Sequence, residues 1–150
     1  MENLFFLGVK GLMLNKSGEA LMIYSDHIER DDKGSIEYWD FPGGVQEEGE
    51  TDVQTLIREV YEETGLKDCF KINENIGFLK AKIRKPFQNV TAGIILSVYL
   101  CEIEKDVCVN LSIEHKKFEW VKMPEVFKRL EVKYTNESIK LVKNALNTKL

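Results

Sequence analysis

A mixed β-sheet sandwiched between helices, α/β/α layers of the α+β or α/β type, is the fold these residues predict. Three observations carry that reading. Apolar runs at residues 4–14 and 20–24 flank the turn-forming NKSGE and read as a hairpin. A capped amphipathic helix follows near residue 51, with more strand-like runs behind it. Ile139, Val142 and Leu146 then recur at helical spacing near the end of the chain. Strands on both sides of a helix, with further helices at the C-terminal end, give a sheet covered by helices.

LFFLGVKGLML and ALMIY are the first two strands, and the charged span SDHIERDDKGSIE is expected as a surface loop. YWDFPGG reads as a short aromatic strand stopped by Pro42 and two glycines. Thr51 with Gln54 three residues on makes a capping box, in which each side chain satisfies an orphan backbone donor. Gly65 suits the left-handed position that ends the helix. Between them Val53, Leu56, Ile57 and Val60 form the apolar face expected to pack on the sheet. Further strands are expected at about 76–84, 91–103 and 115–122, with IRKPFQNV as a turn. A second helix starts near Pro124 and a last one covers about 136–147.

Composition bounds the function. The 150 residues suit one domain, 1–150, with no internal repeat and no linker. A net charge of −4 offers no basic patch for nucleic-acid backbone, so duplex binding is not expected. No apolar run approaches the roughly 20 residues of a membrane span. The start has Glu2 and no basic segment, so it reads as a strand rather than a signal peptide. Cys69, Cys101 and Cys108 have neither metal-ligand spacing nor an even count; reduced thiols in a cytoplasmic protein are expected. An acidic chain that handles phosphates needs a cation to mediate.

The capped helix supplies the place for one. Glu59, Glu62 and Glu63 lie at i, i+3 and i+4, neighbours on one face. Arg58 offsets part of their repulsion through Glu62, but not all of it. Hard cations such as Mg²⁺ and Mn²⁺ choose oxygen ligands and bridge carboxylates to substrate phosphates. On the three glutamates alone a solvated acidic face is the favoured reading, so the surrounding pattern decides.

Gly44, five residues, Glu50, seven residues, then Arg58-Glu59-Val60-Tyr61-Glu62-Glu63-Thr64-Gly65-Leu66 resembles the Nudix box without a departure. Seven fixed and two aliphatic positions match by chance on the order of 10⁻⁹ per starting point. The chain is thereby similar to the Nudix (MutT-like) hydrolases, which cleave a nucleoside diphosphate linked to another moiety. The resemblance implies a Nudix-type sandwich. It implies Mg²⁺, or Mn²⁺, as cofactor on Glu59, Glu62, Glu63 and the Gly44 carbonyl. It makes Glu62 or Glu63 the general base, and Arg58 with Glu50 the pair that orients loop and helix. The expected partner is a small nucleoside diphosphate derivative, with a second copy of the chain left open.

Outside the box, Glu114 in SIEHKKFEWV resembles the family's late acidic residue, as extra ligand or alternative base, with Trp120 behind it. Tyr38, Trp39 and Phe41 are candidates to stack on a base, Phe87 to line the same cleft and Arg84 to meet phosphate. His115 is as readily structural. Residues 27–39 are the expected seat of substrate choice. A Nudix module that senses nucleotide without cleaving it is the alternative; such modules usually carry a damaged box or an added DNA-binding segment. Isoprenoid diphosphate isomerisation would need a placed catalytic cysteine that Cys69 does not supply.

Overall fold

The computed structural model describes residues 3–30, 34–106, 109–112 and 117–150. Among the described residues eight strands form one mixed sheet: β1 (Phe5–Leu14), β2 (Glu19–Arg30), β3 (Gly34–Asp40), β4 (Gly43–Val45), β5 (Phe70–Lys80), β6 (Lys85–Phe87), β7 (Val90–Ile103) and β8 (Lys117–Lys122). The helices are α1 (Asp52–Thr64), α2 (Glu125–Arg129) and α3 (Asn136–Asn147), with a 3₁₀ turn over Leu130–Val132. The central pair, β1 and β7, is parallel from Phe5↔Gly93 to Leu14↔Glu102; the other pairings are antiparallel.

One departure from a regular sheet positions everything that follows. β1 and β2 pair at Leu14↔Ala20, beside their turn, and then separate. The run β3–β4 enters the gap: β3 pairs with β2 through Ile23↔Asp40, and after Phe41-Pro42 β4 pairs with β1 through Val9↔Gly44. The sheet is therefore split along its middle, and the split becomes a cleft. Gly43 makes the crossing possible. Its φ is 141°, and a Cβ there would lie 2.0 Å from the Val9 carbonyl oxygen.

Apolar side chains pack on both faces. On one, Val9, Met13, Leu21 and Cys101 meet Leu56 and Val60 of α1. On the other, Leu12, Met22, Leu79, Leu96 and Val98 meet Ile139, Val142 and Leu146 of α3, with Phe127 and Leu130 between. The helix-covered mixed sheet expected from the sequence is thus the observed fold.

Several elements differ from the expectation. SDHIERDDKGSIE is not simply a loop, since β2 runs on to Arg30 and β3 begins at Gly34, paired as Ile28↔Ile36. Ladder pairing uses backbone groups, so a charged run can extend a strand past the core. β5 starts at Phe70, not 76; its polar residues hid a half-exposed strand. On α1 the buried residues are Thr55, Leu56, Val60 and Thr64, whereas Val53 and Ile57 are 42% and 47% exposed. The sheet covers a narrower stripe than the apolar spacing suggests. Helix α1 itself, with its Thr51–Gln54 box and Gly65 at φ 74°, agrees with the sequence, as does α3.

Candidate active site

The site begins at Arg58. Its Nε and Nη2 fork onto the two Glu50 oxygens at 2.7 and 2.9 Å, while Nη1 donates to Glu59 at 3.0 Å and to Glu62 at 3.3 Å. Nη2 also reaches the Val45 carbonyl at 3.3 Å, tying β4 to α1. Such a planar fork suits a carboxylate better than an ammonium does. The Arg58 hydrogen bonds, with the Glu47 N–H, hold the Glu50 carboxyl down to about 2. Glu62, 56% exposed in its side chain, stays on the outer side of this fork.

Glu59 and Glu63 turn inward. Glu59 lies against Gly44, where a Cβ would sit 2.5 Å from the Glu59 carboxyl carbon, so the absent side chain admits it. Glu63 accepts the Gly43 N–H at 2.6 Å. Burial, aided by the Glu59 and Asp40 charges, pushes the Glu63 carboxyl up to about 7 against the pull of Lys10 and that N–H.

Behind them lies a buried charge network. Asp40 accepts from Lys133 Nζ at 2.7 Å, from the Tyr134 hydroxyl at 2.8 and 2.9 Å, and from the Phe41 N–H at 2.8 Å. Lys10 Nζ lies 3.1 Å from the same carboxylate and donates to the Gly43 carbonyl at 3.0 Å. Burial would raise Asp40, but the two ammonium groups outweigh it and hold it below the usual carboxylate range. Burial likewise opposes the charge on both lysines; Asp40 and Glu63 carry Lys10 above its ordinary value, whereas Lys133 stays below.

These groups line a cleft of about 570 Å³ with Ile83, Ile94 and Leu96 among its apolar walls. Tyr38, Phe41, Arg84, Gly44, Glu59 and Glu63 all lie on it, although Phe41 is also fully core. Arg84 is held by Thr91, through Oγ1 at 2.9 Å and the carbonyl at 2.8 Å.

Trp39 and Phe87 are not part of that lining. Strand alternation turns Trp39 away, to Tyr24 at 5.2 Å and the Arg129 guanidinium at 4.7 Å. Phe87 packs edge-on to Phe6 at 5.4 Å. Glu114 and His115 fall outside the described residues, as do the side chains of residues 26–36. Sequence reasoning missed Lys10, Asp40, Lys133 and Tyr134. Lys10 had a signal, as the one charge inside LFFLGVKGLML.

Among the described residues no three acidic, histidine or cysteine side chains already converge on one point. The donors nonetheless fit a hard divalent cation. Glu59, Glu63 and the Gly44 backbone meet at the cleft mouth, and Glu62 stands one helix step outside, all offering oxygen.

A split mixed sheet carrying a glutamate-bearing helix at the split defines a class of hydrolase, and comparison with known proteins agrees. The profile of the NUDIX domain matches residues 4–144. A MutT-like protein of Streptomyces ambofaciens is 31% identical over 128 residues, 85% of this chain and 71% of that protein. The asymmetrical bis(5′-nucleosyl)-tetraphosphatase of Sus scrofa is 34% identical over 91 residues, 60% of this chain and 59% of its own. Among solved structures, a MutT protein from Methanosarcina mazei superposes with a TM-score of 0.70 at 22% identity, covering 99% of this chain and 98% of its own. A C. elegans Ap4A hydrolase gives 0.69 at 19%, covering 97% and 99%; what these two structures share with the chain is the fold. The chain belongs to the NUDIX domain family and is a Nudix-type hydrolase. Among the described residues no helix is long and apolar enough to cross a membrane.

Proposed function

We propose that this chain is a Mg²⁺-dependent pyrophosphohydrolase, with Mn²⁺ able to substitute, that cleaves the diphosphate linkage of a small nucleoside diphosphate derivative by water attack at phosphorus. The observation that carries this reading is the meeting of Glu59, Glu63 and the Gly43–Gly44 turn at the mouth of an apolar-walled cleft. Glu59, Glu62, Glu63 and the Gly44 carbonyl would hold the cation. When bound, it neutralises diphosphate charge and acidifies a water.

The chain's own residues do the rest. Arg58 locks Glu50, Glu59 and β4 into one frame, so the carboxylates need little reorganisation. A carboxylate oxygen of Glu63, or of Glu62, accepts the proton of the attacking water as the P–O bond forms. The bridging P–O bond then breaks and the leaving phosphate keeps its electron pair. Glu63 is positioned for that exchange by the Gly43 N–H, which it accepts at 2.6 Å. Tyr38 and Arg84, on the cleft, are the candidates to meet the rest of the substrate. The buried thiols of Cys69 and Cys101, both unpaired, support a cytoplasmic setting.

A phosphate-release screen over nucleoside triphosphates, nucleotide sugars and dinucleoside polyphosphates, with Mg²⁺ and then Mn²⁺, tests this. Turnover should vanish with chelator. Glu63→Gln and Glu62→Gln should each cut it about a hundredfold or more while the protein stays folded. Wild-type turnover in Glu63→Gln would remove that residue from the chemistry. Tight nucleotide binding with no turnover of any diphosphate would make the chain a binding module.

A further inference from the structure

Lys10, Asp40 and Lys133 line the cleft together, two ammonium groups around one carboxylate. Asp40 is saturated by Lys133, Tyr134, the Phe41 N–H and the nearby Lys10 ammonium. Lys133 Nζ donates to Asp40 and lies 4.9 and 5.2 Å from the centroids of the Tyr38 and Tyr134 rings. An ammonium carries three protons, so the one bond to Asp40 does not exhaust it. Lys10 is more fully used, on Gly43 and Asp40. Both lysines are more than nine-tenths buried, at 6% and 7% exposure, and both line the cleft.

Charge points the same way. Two ammonium groups share one carboxylate on the floor, an excess of one cation where burial makes an uncompensated charge costly. Glu63 lies near enough to offset it, but Glu63 also faces the diphosphate end. The bonded sequence Glu63–Gly43–Lys10–Asp40–Lys133 joins Lys133 to the acidic helix only through Asp40, Lys10 and Gly43. Arg84 and Lys85 add two more cations along the cleft. A chain of net charge −4 thus concentrates positive groups where the substrate's far end would lie.

We propose that Lys133 is a specificity-determining residue that receives an anionic oxygen group, carboxylate or phosphate, on the moiety linked to the nucleoside diphosphate. This rests on the cleft being the substrate site. A neutral hydroxylated or amide-bearing group can bond beside Lys133 but leaves the excess positive charge unbalanced. An acceptor-only anion takes a further Lys133 proton and balances that charge.

The test compares a nucleoside diphosphate joined to a neutral sugar, to the matching uronic acid and to the matching phosphorylated sugar. Wild-type kcat/KM should favour at least one anionic substrate by about tenfold or more, as one charged hydrogen bond allows. The two anionic arms tell carboxylate from phosphate. In Lys133→Met the preference should collapse to within about twofold of parity, chiefly through KM, and Lys133→Arg should restore most of it. A parallel arm measures calorimetric Kd for the corresponding sugar 1-phosphates, neutral and anionic, on chelator-treated protein. It needs no turnover, so a failed hydrolase reading leaves it able to decide. Equal wild-type preference for neutral and anionic moieties in both arms, or a preference that survives in folded Lys133→Met, would overturn the proposal. Should the variants not fold, the wild-type comparison still decides.

Discussion

A carboxylate buried between two ammonium groups, as Asp40 is between Lys10 and Lys133, stabilises the fold only while its partners stay together. Removing it strands two cations. Asp40→Asn should therefore cost about 3–5 kcal/mol at pH 7, read as a lower urea midpoint. The pH dependence has a definite sign. Asp40 titrates below the usual carboxylate range when folded, so its contribution is full above about pH 4. It is lost as pH falls further, through the folded value. Lys10, Lys133, Tyr134, Tyr38 and Glu63 are the charged or titratable groups set against it, and all are retained in the variant. The stability gap between wild type and Asp40→Asn should accordingly shrink below about pH 4. A gap constant from pH 7 to 3 would show that the ionised form is not what the network stabilises. None of this was legible beforehand. Asp40 and Lys133 stand 93 positions apart, and a pairing across that separation exists only once the sheet has split and the 3₁₀ turn has closed over it.

Helix α1 was legible for the opposite reason, because its signals are local. Thr51 and Gln54 bond each other's backbone, Gly65 ends the helix with its N–H on the Tyr61 carbonyl, and both follow from spacing alone. What spacing does not give is how much of the apolar stripe the sheet covers. Leu56 is fully buried against Val9, Met13 and Leu21, while its neighbour Ile57 is 47% exposed. Leu56→Ala should therefore cost about 2–5 kcal/mol and Ile57→Ala no more than about 0.5–1 kcal/mol, measured as a pair by chemical unfolding. Equal losses would mean that Ile57 is covered in solution. β5 failed to stand out in the sequence on similar grounds: Lys71, Asn73, Glu74 and Asn75 are exposed and carry no strand signature, yet Lys71, Glu74 and Asn75 pair with β7, with Asn73 at a register shift.

Across the whole molecule, the split sheet separates what holds the chain together from what acts on substrate. The box was legible because its residues must lie close in sequence to share one helix and one turn. The cleft was not, because it arises where β1 parts from β2 and β3–β4 fills the gap, a consequence of pairing between distant strands. The cleft lining contains no residue of α3, which packs on β5 and closes the larger core from the far side. Leu146, buried at 1%, belongs to that core, whose Phe41, Ile83, Ile94 and Leu96 also line the cleft, but does not line the cleft itself. Leu146→Ala should destabilise by about 2–5 kcal/mol, lowering the melting temperature by roughly 4–20 °C in a domain of this size. At 25 °C, where the variant remains folded, kcat/KM should hold within about twofold of wild type, because Leu146 itself lines no part of the cleft. The discriminating measurement is a pair of melts, with and without Mg²⁺ and a nucleotide product. Ligand bound to the native state should raise the midpoints of wild type and Leu146→Ala by similar amounts. A variant that melts early and also loses its ligand-induced shift would show that α3 sets the cleft's shape, and that the two halves are coupled rather than separate.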